Sequence, residues 1–272
     1  MHEILRHLPA GALVLDLGCS AGSFDAAAFP FVTIRMDLEP LGASSRGTGV
    51  QADAASLPFR GRAFNAVVCN HGLEHFKRLK PALQEIGRVL KRDGALFVSV
   101  PDATTFQDRL YRWALKGGGH VNLFDKPGEL AAMLACYTGL PHVATKILHA
   151  SFSFLNRRNT PRPGLRRWVV FSWRCDGALA VLTAMLRFID RHFRARTSVY
   201  GWAMYFGNVP ETVELRPWTN VCVRCGQAHS PDWLAEIGAV RRRWLFFSSF
   251  ACPGCGTSNF YTRYEHFLRG TG

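Results

Sequence analysis

No apolar run in this chain is long enough to cross a bilayer. The most membrane-like stretch, Gly177–Leu186, has only ten residues and lies between Arg174, Asp176 and Arg187, whereas a spanning helix needs about 20. An amino-terminal leader is not evident, because the first apolar run contains Asp16 and reads as part of the fold. Internal repeats and low-complexity tracts are missing as well, which argues against a solenoid or a disordered scaffold. Acid is scarce, with 20 Asp and Glu against 33 Lys and Arg. These absences predict a cytoplasmic chain with no transmembrane span.

What is present suits a globular protein. A chain of 272 residues with 48% hydrophobic content is able to bury one large core and a smaller one. The positive charge is uneven: residues 1–150 hold 16 basic and 13 acidic side chains, residues 151–272 hold 17 and 7. The carboxyl-terminal part, near +10, therefore favours an anionic partner such as nucleic acid, a phosphorylated acceptor or a membrane surface. Of the eight cysteines, four stand singly (Cys19, Cys69, Cys136, Cys175) and four form two close pairs. That distribution fits a metal site in a reducing compartment better than a disulfide framework.

The segment "LVLDLGCSAGSF" carries the most information. Leu13, Val14 and Leu15 read as a strand buried on both faces. Asp16 falls at its carboxyl end, where open α/β sheets bind ligands. Gly18 and Gly22 then allow a sharp turn and close backbone approach. The pattern is D-x-G-x-x-x-G, not the dinucleotide G-x-G-x-x-G. An acid ahead of the turn would repel a pyrophosphate and attract a cation.

From these residues onward the chain resembles the class I S-adenosylmethionine (SAM)-dependent methyltransferases of the type 11 group. The resemblance continues in order through "TIRMDLEP", "GVQADAASLPF", "RAFNAVVCNHGLEHF" and "EIGRVLKRDGALFVSVPD", covering roughly residues 10–102. It implies a doubly wound, Rossmann-like α/β sheet. It also implies a cofactor site of Asp16, Gly18, Gly22, Asp37 on the ribose hydroxyls, Asp53 and Ala54 at the adenine, and Asn70 and His71 near the methionine end. Asn65 stands where many relatives carry Asp, a departure read as harmless because the position precedes the buried strand. Ser23–Pro30 and Leu41–Gly49 leave little room for the first two crossover helices.

Transfer from a sulfonium needs alignment of donor and acceptor more than a protein nucleophile. Cys19 has no base beside it and reads as a small filler. A base is required only where the acceptor must lose a proton. His120, after the triple glycine Gly117–Gly119, is the candidate, since "GHVNLF" resembles the substrate-facing segment of some relatives. His71-Gly-Leu-Glu74-His75 matches the inverted zinc-protease pattern H-x-x-E-H. In this context it opens a loop instead, and His75 reads as structural.

Beyond residue 102 the spacing predicts a helix over Thr104–Lys116 and another begun near Asp125 and Pro127 and stopped at Gly139. "HVATKILHASFSFL" and "SVYGWAMYFG" read as strands, the second fitting the last antiparallel strand of the fold. Residues 156–198 read as a helical insertion, with Leu182, Met185, Leu186, Ile189 and Phe193 on one face and Arg187 and Asp190 elsewhere. The adopted reading packs that apolar face on the core; the alternative lays it on a membrane surface as a peripheral contact.

The tail holds Cys222-Val-Arg-Cys225 and Cys252-Pro-Gly-Cys255, each followed by glycine. Two such knuckles give the four-sulfur set that structural zinc favours, and the tail resembles a zinc ribbon. Iron would fit the same thiolates, and a redox pair of C-x-x-C motifs is a third reading. The expected layout is a methyltransferase domain over residues 1–215 and a zinc-binding module over 216–272.

Missing signatures narrow the acceptor. The strand exit reads "CNHGLEH", not the N/D-P-P-Y/F of many base and amide N-methyltransferases, and no Pro-Cys or Thr-Cys pair is placed for pyrimidine C5 attack. The expected activity is SAM-dependent methyl transfer to a small molecule or a saccharide- or lipid-linked acceptor, with zinc in the tail. An RNA or protein methyltransferase gripping a macromolecule with the basic tail is the alternative. A non-catalytic interaction protein on this scaffold is the third reading, and the intact cofactor acids argue against it.

Overall fold

The computed structural model describes residues 1–20, 22–41, 48–114, 119–156, 175–193, 195–210, 220–244 and 247–262. The basic loop within the expected insertion, most of Leu41–Gly49, and Gly117 and Gly118 lie outside the described residues. The chain divides into two compact units, Met1–Asp102 with His120–Thr145 and Trp202–Leu215, and Ala103–Gly119 with Lys146–Gly201 and Arg216–Gly272.

Elements follow in the order α1 (His2–Leu5), β1 (Leu13–Leu17), β2 (Val32–Asp37), β3 (Thr48–Gln51), β4 (Phe64–Asn70), α2 (Leu79–Val89), β5 (Leu90–Pro101), α3 (Phe106–Ala114) and α4 (Pro127–Thr138). After these come β6 (His142–His149), α5 (Asp176–Phe193), β7 (Val199–Gly207), β8 (Asn220–Val221), β9 (Ala228–His229), α6 (Pro231–Glu236), β10 (Val240–Trp244), β11 (Phe247–Ala251) and β12 (Ser258–Phe260). Seven strands form one sheet in the order β3-β2-β1-β4-β5-β7-β6. The Rossmann-like α/β fold expected from the sequence is therefore present.

In the first unit β1 pairs in parallel with both β2 and β4, with Leu15 opposite Ile34 and Val67. Val14, Leu15, Val67 and Val68 have no exposed surface, as strands covered on both faces require. From α2, Ala82, Leu83, Ile86 and Val89 pack in one core with Leu15 and Val67, and from α4, Leu130 and Leu134 join it. Helix α4 begins with Pro127 in its first turn and ends at Gly139 in the left-handed conformation, φ 71°, which only glycine adopts without strain. Among the described residues between β1 and β2 the helical element is a 3-10 turn, Ala26–Ala28, in a crossover too short for a full helix. Asn65 lies inside β4, not before it. Its Oδ1 accepts from the Leu13 amide at 3.0 Å and from Lys91 Nζ at 3.0 Å, roles an amide carbonyl fills as well as a carboxylate does.

In the second unit, α5 shows a buried face different from the expected one. Leu179, Ala180, Thr183, Arg187 and Asp190 are buried, while Met185 is 55% and Phe193 74% exposed. The reason is polar: Asp190 accepts from the Thr197 amide (2.7 Å) and hydroxyl (2.7 Å) and from the Ser198 amide (2.6 Å) and hydroxyl (2.5 Å). A carboxylate with four donors is stable when buried, and satisfying it fixes the rotation of the helix. No helix among the described residues is long and apolar enough to cross a membrane.

Residues 216–272 group with 103–119 and 146–201 in this unit. Val223 shares an apolar cluster with Ala150, Phe152, Leu155, Leu179 and Ala180. Asn156 Nδ2 donates to Asp176 Oδ1 at 2.7 Å and to the Val223 carbonyl at 3.2 Å, and Arg224 forms an ion pair with Asp176. In this grouping the first cysteine knuckle is bonded to the start of α5.

One close approach in the first unit is testable. A Cβ added at Gly87 of α2 would lie 2.7 Å from the Thr138 backbone of α4, nearer than side chains tolerate. Gly87→Ala is expected to destabilise the protein by about 1–3 kcal/mol, despite a gain in helix propensity of up to about 1 kcal/mol, read as a lower denaturant midpoint.

Candidate functional site

The carboxyl ends of β1, β2 and β4 and the segment after β3 present the expected site residues within the first unit. Asp16 is 1% exposed. Its Oδ2 accepts from the Ser23 amide at 2.8 Å, and its Oδ1 has no hydrogen-bond partner among the described residues. Burial pushes the Asp16 carboxyl above its ordinary value, while the Ser23 hydrogen bonds and the Arg35 charge oppose the shift. The turn after it holds Gly18 at φ 65° and Gly22 at φ 109°. A Cβ at Gly18 would stand 3.3 Å from the Phe76 ring, so conformation and space both call for glycine there.

Asp37, at the end of β2, accepts from the Ser20 amide at 2.7 Å and the Glu39 amide at 3.2 Å, which ties it to the glycine turn. Asp53 is exposed, accepts from the Ala55 amide at 2.8 Å and pairs with Arg78 at 2.9 Å. The Ala55 hydrogen bond, then Arg78, holds its carboxyl below the ordinary value. Ala54 beside it is buried. Asn70 Oδ1 accepts from Ser99 Oγ at 2.7 Å. His71 follows with φ 56°, and its amide donates to the Ser99 carbonyl at 3.0 Å. A non-glycine residue at positive φ costs free energy, and such residues gather at ligand sites.

Two contributors escape a sequence reading. Arg35, 4% exposed, donates to the Ser20 carbonyl at 2.8 Å and so pins the turn; the parallel register sets it opposite Asp16. Ser99 of β5 braces the end of β4. Register could have revealed Arg35, whereas Ser99 carries no motif. Burial pushes the Cys19 thiol up to about 11 and the Cys69 thiol well above its usual range. Both are protonated near neutral pH, as a filler role for Cys19 requires.

After β4, a 3-10 turn spans Leu73–His75 and buries Glu74. His120 stands against it: the His75 and His120 ring centroids are 5.1 Å apart. The H-x-x-E-H pattern therefore lies on a short turn, not on the helix a zincin needs.

The second unit carries the four cysteines. Cys222–Cys225 connect β8 to β9, and Cys252–Cys255 connect β11 to β12; α6 and β10 occupy the interval between the knuckles. Sγ atoms of Cys222 and Cys255 are 3.5 Å apart, and those of Cys225 and Cys252 3.6 Å. All four sulfurs lie within 4.8 Å of one another. Disulfide sulfurs would be about 2 Å apart, whereas four thiolates about 2.3 Å from a central tetrahedral ion stand near these distances. The Cys222 thiol is held far below its ordinary range by hydrogen bonding from the Cys225 and Cys252 thiols. The Arg224 amide and Asn259 Nδ2 also approach its sulfur, at 3.4 and 3.7 Å. The buried His229 places Nε2 3.4 Å from Cys252 Sγ, a contact of the kind that orients thiolate ligands. The donor set fits a closed tetrahedral ion.

Comparison with known proteins agrees with the first unit. Residues 15–98 match the family described as methyltransferase domain. The ubiquinone biosynthesis O-methyltransferase of Xanthomonas axonopodis pv. citri (strain 306) is 32% identical over 147 residues, 46% of this chain and 62% of that protein. The probable tRNA methyltransferase 9B of Homo sapiens is 30% identical over 107 residues, 37% of this chain and 24% of that protein. The chain spans about two fifths of the length of several other curated relatives that it matches. Among solved structures, the [4+2]-cyclase SpnF shares the fold, with 18% identity and a TM-score of 0.50 over 75% of this chain and 78% of that one.

The sign of the Asp16 shift gives a pH prediction. A carboxyl raised on folding binds its proton more tightly in the folded chain, so stability falls as pH rises above the ordinary value of 3.8. Asp16→Asn keeps the acceptor for Ser23 and removes that loss. It is expected to raise Tm at neutral pH, by about 2–4 °C per kcal/mol relieved, and to give no advantage at about pH 3, as scanning calorimetry of the ligand-free protein would show.

Proposed function

We propose that this protein transfers a methyl group from SAM to a small molecule or to a saccharide- or lipid-linked acceptor. The observation that carries the reading is the buried Asp16 carboxylate, with one unpartnered oxygen, beside a glycine turn and next to a second acid, Asp37. A buried anion in that position calls for a cationic or hydrogen-donating ligand. The family match over residues 15–98 supports methyl transfer as the chemistry.

When bound, SAM would supply a sulfonium methyl for in-line displacement. In this reading Asp16 orders the turn that receives the methionine end, with Gly18 and Gly22 admitting it closely. Asp37 accepts from the ribose hydroxyls, and Asp53 and Ala54 meet the adenine. Asn70 and His71 close the methionine side, and His120 promotes loss of the acceptor's proton. In the second unit, Cys222, Cys225, Cys252 and Cys255 hold a structural zinc with no open position. Zinc is favoured over iron because four thiolates are a set that structural zinc takes, and four converging sulfurs disfavour two separate redox pairs.

Losing a charged hydrogen bond to ribose costs about 1.5–3 kcal/mol, so Asp37→Ala is expected to weaken SAM binding about ten- to hundredfold by calorimetry. An unchanged Kd would remove Asp37 from the site. Methyl-labelled SAM with fractionated extract tests the acceptor: label in small molecules or glycolipid supports the reading, and label in RNA or protein replaces it.

Protein purified without chelators is expected to contain at least one zinc per chain, one equivalent of which is lost in Cys252→Ser. A structural zinc contributes about 10–16 kcal/mol in small modules, and the first knuckle is bonded to Asp176. Cys252→Ser is therefore expected to raise protease sensitivity from residue 220 onward and also in α5, while SAM binding persists. Folded, protease-resistant protein with neither zinc nor iron would defeat this assignment.

A further inference from the structure

The proposed cofactor site makes no use of Glu74, yet Glu74 is another buried acid at this edge of the sheet. It is 1% exposed. Its Oε2 has no hydrogen-bond partner among the described residues, and Oε1 lies 3.6 Å from His71 Nδ1. Burying a carboxylate without compensation is costly, so a positive charge at this point would stabilise the fold. His75 and His120 bring two imidazoles to the same place. One ligand atom from each of Glu74, His75 and His120 lies within 4.8 Å of the others.

We infer that Glu74, His75 and His120 hold a divalent metal ion. Hydrogen bonds to backbone carbonyls hold the two segments together. The Glu74 carbonyl accepts from the Val121 amide at 2.8 Å and the Asn122 amide at 3.0 Å. Asn122 Nδ2 donates to the Leu73 and Phe76 carbonyls, each at 2.8 Å. Four bonds thus clamp the residues after His120 across the turn that carries Glu74 and His75. Such preorganisation lowers the ordering cost of binding. Two imidazoles and one carboxylate suit zinc, iron, manganese or cobalt, and three protein ligands leave coordination positions open. Burial falls from Glu74 through His120 to the exposed His75, so the cluster reaches the surface at His75.

The role of the ion rests on the methyltransferase reading. A hydroxyl of the acceptor would coordinate the ion and lose its proton to solvent water, because a divalent cation stabilises the oxyanion. Its oxygen then forms a bond to the methyl carbon as the carbon–sulfur bond of the sulfonium breaks, leaving a neutral thioether. His120 would assist as a ligand and not as the base itself. This assigns the acceptor to hydroxyl-bearing compounds.

The test uses Mn(II), which prefers imidazole and carboxylate to thiolates, added to the full chain with its zinc in place. Free Mn(II) is followed by electron paramagnetic resonance. One saturable equivalent is expected, weakened at least about tenfold in His75→Ala and in His120→Ala and retained in His142→Ala. Glu74→Gln, which keeps size and burial, is expected to lose the same equivalent. Circular dichroism and SAM calorimetry on each variant identify any that fail to fold. No saturable site in the parent, or a full equivalent in the His75→Ala/His120→Ala double variant, would overturn the inference. This titration needs no SAM, so its failure leaves the methyltransferase reading standing. A protein that binds Mn(II) but not SAM would refute that reading and keep the metal site.

Discussion

A carboxylate buried at the end of a strand that is apolar on both faces is the constraint on which the first unit depends. Asp16 cannot leave the sheet edge, because Leu15 and Leu17 on either side of it are buried. Among the described residues it is not fully satisfied either, since one oxygen is bonded to Ser23 and the other has no partner. The turn around it is correspondingly over-determined. Glycines at positive φ shape it, Arg35 holds the Ser20 carbonyl, and Asp37 holds the Ser20 amide. Stability is given up here, because a buried carboxylate oxygen left without a donor is costly.

Glu74 repeats the arrangement one strand away. It too is a buried acid at a strand's exit, and it too is surrounded by backbone fixed through side-chain bonds, with Asn122 in the bracing role. The two acids differ in their neighbours. Arg35 and a glycine turn surround Asp16, whereas imidazoles surround Glu74. One setting suits an organic cation and the other suits a metal ion.

The second unit solves a different problem. Its tail strands are short, β8 and β9 having two residues each, and strands of that length cannot order themselves. Cys222, Cys252 and a buried aromatic, Phe250, make up the centre of its small cluster with Leu234. The tail also borrows order from α5 through Val223, Asn156 and the Arg224–Asp176 pair. Two polar devices, Asp190 and the cysteine cluster, thus supply much of the definition that a larger apolar core would otherwise give.

The sequence by itself determined the parallel strands, the glycine turn, the ends of α4 and the two cysteine knuckles. Each of these is local: apolar runs of strand length, Gly139 at a left-handed cap, and C-x-x-C-G pairs impose their geometry whatever surrounds them. Tertiary structure decided what local pattern cannot encode. Periodicity put Met185 and Phe193 on the inner face of α5, yet the four hydrogen bonds to Asp190 turn that helix so that both are exposed. Asn65 read as a harmless departure before a strand, and long-range bonds to Leu13 and Lys91 give it a place within one. Glu74 and His120 lie more than forty residues apart, and no pattern joins them. They meet because Asn122 satisfies carbonyls left open by a turn far back in the chain. A buried polar group must find its partner wherever the fold brings one, so its rule is spatial and not sequential.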